Sequence, residues 1–107
     1  MQYVISERPG AVLLSLAGEI DLSNSPQARK LILAQLDSGH ALAVDLSAVS
    51  YIDSSGIASL VEGYQKARSE NLRFALVAVS DATMKVLQLA RLDQVFPLVA
   101  SMDEFNA

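Results

Sequence analysis

A chain of 107 residues with 51% hydrophobic and 19% charged side chains is sized for one core and has the composition of a globular domain spanning residues 1–107. Its net charge of −4, with the basic residues scattered, argues against nucleic acid as a partner, and the absence of cysteine removes disulfides, thiolate metal sites and cysteine nucleophiles. No apolar run approaches the ~20 residues that cross a bilayer, and Met1-Gln2-Tyr3-Val4 lacks the basic flank and apolar stretch of a secretion signal, so a cytoplasmic protein without membrane insertion is expected.

Gln2 to Ser6 and Ala11 to Ala17 read as two strands joined at the Pro9-Gly10 turn signal, which predicts a hairpin. The second is almost continuously apolar, as a strand covered on both faces would be. A polar loop from Gly18 follows, and Pro26 suits a first helical position, which makes Ser25 the expected cap. Ala28, Leu31, Ile32 and Leu36 then recur at helical spacing up to Ser38-Gly39.

Ala41 to Leu46 reads as a third, buried strand, followed by a short polar connection. Ser54 or Ser55 is expected to cap a second helix, on which Ile57, Leu60, Val61 and Tyr64 mark the apolar face up to about Asn71. Gly63 inside it costs roughly 1 kcal/mol against alanine, and close approach of a neighbouring element would account for it. Gly56 fits either a tight helix entry or the near approach of a partner's backbone. Arg73 to Val79 reads as a fourth buried strand. Ser80-Asp81 caps a third helix carrying Thr83, Val86, Leu87 and Ala90 on one face. Leu89 and Leu92 lie off that face; they pack under a final strand near Pro97 to Ala100 or form an exposed apolar patch. Asp103 to Ala107 forms a last short helix or frays. Strands and helices alternate after the hairpin, which predicts an α/β fold with parallel strands.

The chemistry available is narrow. The only histidine, His40, precedes the third strand, whereas Ser54 follows it, so no serine triad can assemble. Asp21, Asp45 and Asp53 have neither a histidine nor a calcium-loop spacing beside them, and no phosphate-binding glycine loop is present. So small an α/β domain offers little cleft for a sugar between paired carboxylates. A non-enzyme without metal or cofactor is expected. At the mouth of the second helix, by contrast, unpaired N–H groups and the helix dipole favour an anion, and two hydroxyls sit there to receive a phosphate.

The run Tyr51-Ile52-Asp53-Ser54-Ser55-Gly56-Ile57, after the strand Ala43-Val44-Asp45-Leu46, resembles the signature of the STAS domain family of anti-sigma factor antagonists. Leu16-Ala17-Gly18-Glu19-Ile20-Asp21 resembles the family's other recurrent segment. The resemblance implies a single STAS-like domain, a small mixed sheet of an N-terminal hairpin plus parallel strands with about four helices packed against it. It implies phosphorylation at Ser54, with Ser55 the second choice, by a GHKL-type anti-sigma factor kinase, and reversal by a PP2C-type phosphatase. The unphosphorylated domain, monomeric when free, would bind that kinase through Asp21, Asp53, Ser54, Ser55, Gly56, Ile57 and Ala58. Asp21 either takes part in that contact or bonds its own loop backbone. Ile57, Ala58 and Leu60 divide between core and interface, with Ala58 expected outward. Ala58 stands where a glycine often follows in the family, which keeps open a second class: the STAS subunit of an ABC-type lipid transporter, or another scaffold on which no kinase acts.

Overall fold

A computed structural model describes residues 1–106 of the chain; Ala107, the last residue of the helix expected over Asp103 to Ala107, lies outside them. The elements run β1 (Gln2–Arg8), β2 (Ala11–Ile20), α1 (Ser25–Asp37), β3 (Leu42–Ile52), α2 (Ser54–Ser69), β4 (Phe74–Val77), α3 (Asp81–Leu89), a 3-10 turn (Leu92–Gln94), β5 (Leu98–Val99) and α4 (Met102–Asn106). The strands form one sheet in the order β1-β2-β3-β4-β5, with β1 antiparallel to β2 and every later pair parallel. This is the mixed α/β sheet that the hairpin and the helix–strand alternation predict.

The two faces of the sheet are unequal because alternate side chains go to opposite sides. Val12, Leu14 and Leu16 of β2, Val44 and Leu46 of β3 and Leu76 of β4 pack into the larger core, with Ile32 and Leu36 of α1, Leu60 of α2 and Leu87 of α3. Leu13, Ala43, Ala75 and Val77 point the other way, into a smaller cluster closed by Phe105 of α4. The continuously apolar strands are therefore buried on both sides, as expected.

β3 differs most from expectation: it does not end at Leu46 but continues through the supposed polar connection to Ile52. Its register against β2 slips twice, from Ser15↔Asp45 to Ala17↔Ala48 and from Gly18↔Val49 to Glu19↔Tyr51, and each slip adds one residue to β3. Leu46, Val49 and Ile52 consequently all face the larger core, three residues apart rather than two. The same extension carries β2 to Ile20.

Gly63 is explained by close packing, since a Cβ there would stand 2.5 Å from Cγ2 of Ile32 on α1. Ser80 caps α3 as expected, its Oγ accepting the Thr83 N–H at 3.2 Å. α1 corrects the reading of Ser25: the residue lies inside the helix and is buried, and Asn24 holds the capping position without a side-chain bond to the helix. Leu92 packs against the larger core, while Leu89 stands alone in solvent at 87% exposure.

Candidate functional site

β3 leaves the sheet at Ile52, and the next residue turns the chain into α2. Asp53 has extended backbone geometry and is the cap of α2. Its Oδ1 accepts the N–H groups of Ser55 at 2.9 Å and Gly56 at 3.1 Å, and also the Ser55 hydroxyl at 2.6 Å. The expectation that Ser54 or Ser55 caps this helix is thus corrected by one residue. A carboxylate at this position satisfies two orphan donors and opposes the positive end of the helix dipole.

The other oxygen of Asp53 faces a different element. Oδ2 accepts the Leu22 N–H at 3.1 Å, and the Asp53 N–H donates to the Ile20 carbonyl at 3.1 Å. The loop between β2 and α1 is thereby fastened to the mouth of α2. The Ser55 hydroxyl is the largest influence and holds the Asp53 carboxyl below its ordinary pKa; desolvation, next in size, opposes it, and the N–H groups of Gly56, Ser55 and Leu22 add to the lowering. The anion place inferred at this helix mouth is filled by the protein's own carboxylate.

Within the loop, Asp21 Oδ1 accepts both the N–H and the hydroxyl of Ser23, at 3.0 and 2.5 Å. Asn24 Oδ1 accepts the Asp21 N–H at 2.9 Å, and its Nδ2 donates to the Glu19 carbonyl at 2.9 Å. The self-bonded loop considered for Asp21 is thus present, and it presents Leu22 at 75% exposure. Ser59 adds a further tie: its Oγ reaches the carbonyls of Ser55 at 3.1 Å and Ser25 at 3.3 Å, joining the starts of α2 and α1.

Ser54 is exposed, and its hydroxyl has no hydrogen-bond partner among the described residues, whereas Ser55 is half-buried and held by Asp53. Ala58, one helical turn beyond Ser54, is also exposed. Gly56 and Ile57 are turned inward and offer no surface; a Cβ on Gly56 would stand 2.6 Å from Ile52 Cγ1 and 2.9 Å from Ile20 Cγ2. Of the two roles weighed for Gly56, the tight entry is the one seen, against the chain's own core. Asp21, Asp53, Ser54 and Ala58 therefore share the outward side of this corner, with Leu22, which was not singled out from sequence. Leucine at a loop tip carries no motif, and its exposure follows from the Asp53 and Asn24 bonds, which are not visible in sequence. Elsewhere, no three His, Asp or Glu residues among those described are placed to hold a metal ion, and no described helix is long and apolar enough to cross a membrane.

Residues 2–105 match the STAS domain family model. The anti-sigma-F factor antagonist RsfB of Mycobacterium tuberculosis is 30% identical over 101 residues, which cover 94% of this chain and 82% of that protein. The crystal structure of an anti-sigma factor antagonist from Mycobacterium paratuberculosis is 33% identical and superposes with a TM-score of 0.86 over 96% of this chain and 88% of its own. The Bacillus cell fate determinant SpoIIAA in its phosphorylated form has a TM-score of 0.75 over 96% of this chain and 95% of its own; at 22% identity this speaks to the fold alone.

Proposed function

The chain belongs to the STAS domain family, and from that membership and the geometry at the start of α2 we propose that it is a phosphorylation-switched anti-sigma factor antagonist. In its unphosphorylated form it binds an anti-sigma factor that is also a GHKL-type serine kinase, and so frees the sigma factor. The kinase moves the γ-phosphoryl group of ATP to Ser54 Oγ, with ADP leaving and the hydroxyl proton passing to the kinase. A PP2C-type phosphatase returns the serine by hydrolysis. The domain is the substrate of this chemistry, monomeric when free and cytoplasmic, and catalyses nothing itself.

The observation that carries the reading is the contrast between the two serines: Ser54 presents an exposed hydroxyl free of bonds to the described residues, while the Ser55 hydroxyl is committed to Asp53 at 2.6 Å. Phosphate on Ser54 adds about −1.5 to −2 charge next to a carboxylate that already occupies the helix mouth. That charge must be desolvated or repelled in a close interface, so binding is lost with little change in the fold. Incubation with the anti-sigma factor kinase and ATP, followed by peptide mass spectrometry, tests the assignment. Phosphate on Ser54 is expected; phosphate on Ser55, or incorporation into Ser54→Ala at the wild-type rate, contradicts it.

A further inference from the structure

At the far end of α2 a second feature has no part in the corner around Ser54. A cavity of about 360 Å³ opens where the C-terminal half of α2 meets the start of β4, β5 and α4. It exists because β5 is short: β5 pairs only with Leu76 and Val77, which leaves the Phe74 and Ala75 end of β4 without a β5 neighbour. Pro97, just ahead of β5, has no N–H to extend that pairing.

The walls are apolar and largely aromatic. Tyr64, Phe74, Val99 and Phe105 line the cavity, and the Tyr64 and Phe74 rings lie 6.1 Å apart between centroids. Two guanidinium groups, those of Arg68 and Arg73, complete the lining. Arg73 sits 4.5 Å from the centre of the Phe105 ring and donates through Nη2 to the Phe105 carbonyl. Arg68 lies 5.8 Å from the centre of the Tyr64 ring. Among the described residues neither is in an ion pair; the ion pairs there are Arg29 with Glu62 and Lys66 with Asp37 and Glu70. In a chain of net charge −4 this sets two guanidinium groups, without an ion-pair partner among the described residues, beside an apolar hollow.

We propose that this cavity is a binding site for a small amphipathic carboxylate, its apolar body against Tyr64, Phe74, Val99 and Phe105 and its head on Arg68 and Arg73. The volume lies at the lower end of the roughly 300–1,000 Å³ typical of small-ligand sites, which suits a medium-chain aliphatic acid. A guanidinium has five N–H donors in a planar fork that matches a carboxylate in two-point contact. Arg73 is held beside the cavity by the Phe105 ring and carbonyl, which lowers the entropy lost when the ligand's head binds. The site is separate from the switch: fourteen residues of helix, at about 1.5 Å each, put Arg68 roughly 21 Å along α2 from Ser54.

Titrating the protein with sodium decanoate below its micellar range, while following the amide resonances of Ala75, Val99 and Phe105, tests the assignment. Saturable shifts of those amides are expected, with at least about tenfold weaker binding by the neutral 1-decanol and by Arg68→Gln, a change at an exposed side chain. Arg73→Gln should weaken binding similarly, and Arg29→Gln, whose side chain pairs with Glu62 on the α1–α2 surface, should leave it unchanged. Decanol binding as tightly as decanoate would overturn the proposal, as would unchanged affinity in Arg68→Gln or shifts spread over the whole surface. Tighter binding of decyl phosphate than of decanoate would overturn the choice of a carboxylate head.

Discussion

The Asp53 carboxylate accepts the Leu22 N–H at 3.1 Å across a sequence separation of 31 residues, while its other oxygen caps α2. One side chain therefore fixes both the helix that carries Ser54 and the loop that carries Asp21. Asp53→Ala should lower the urea midpoint and broaden the amide resonances of residues 21–24 and 54–56 together. Asp53→Asn, which keeps an acceptor for one set of donors, should do less on both counts. Broadening confined to 54–56 would show that the loop is held independently of Asp53.

The same carboxylate predicts an acid-side dependence. Its pKa is lowered in the folded chain from an ordinary value of 3.8, so the unfolded chain takes up the proton first as pH falls. The stability it contributes is complete above the ordinary value and is lost as pH drops through the lowered one. Denaturation midpoints between pH 6 and pH 2 should therefore fall less steeply for Asp53→Asn than for wild type; parallel curves would show that Asp53 is not a significant contributor.

Gly56 and Gly63 admit a sharp test because helix propensity and packing oppose each other there. Alanine gains roughly 1 kcal/mol in propensity at the interior position of Gly63 and less in the first turn at Gly56, yet each added Cβ meets a branched side chain of the buried core, at 2.6 Å for Gly56 and 2.5 Å for Gly63. Overpacking of a fixed core costs about 1–3 kcal/mol, so both Gly56→Ala and Gly63→Ala should be destabilising in chemical denaturation. A stabilised variant at either position would mean that the isoleucine beside it moves aside.

Much of this architecture was legible in the residues. The Pro9-Gly10 turn, the double-sided strands around Leu14, Val44 and Leu76, the α3 cap at Ser80 and the close packing at Gly63 each follow from local pattern and are present. The end of β3 was not legible, because two bulges convert a period of two into steps of three at Leu46, Val49 and Ile52. The α2 cap was misplaced for a related reason: Asp, Ser and Ser are all good caps in sequence, and only the extended backbone at Asp53 selects among them. The resemblance drew attention to this corner, but only the packing separates Ser54 and Ala58, which face out, from Gly56 and Ile57, which do not.

Phosphorylation of Ser54 should leave the fold nearly intact. The phosphate projects from an exposed first turn, where an anion gains about 0.3–1 kcal/mol from the helix dipole, and its repulsion from Asp53 offsets part of that gain. Melting temperatures of the two forms should differ by less than about 5 °C for a domain of this size. A larger fall on phosphorylation would mean that the added group breaks the Asp53 bonds, placing the switch in the fold rather than in the interface.

Leu22 is the expected apolar anchor of the same surface. It is 75% exposed and held beside the helix mouth by Asp53, so its side chain adds nothing to the core. Leu22→Asp should leave the melting temperature within about 2 °C, as for a surface change outside any packed feature, and should weaken binding to the anti-sigma factor at least about tenfold. Unchanged binding would place the interface away from the loop between β2 and α1.

The central claim is that charge at Ser54 decides whether the anti-sigma factor binds, and titration calorimetry of that factor with wild type, Ser54→Ala and Ser54→Asp tests it most directly. Aspartate supplies about −1 of the roughly −1.5 to −2 charge of phosphoserine. Ser54→Ala should bind like wild type, Ser54→Asp at least about tenfold more weakly, and the phosphorylated protein more weakly still. Equal affinities for wild type, Ser54→Asp and the phosphoprotein would contradict the switch and leave this corner as a docking surface on which phosphorylation has no say.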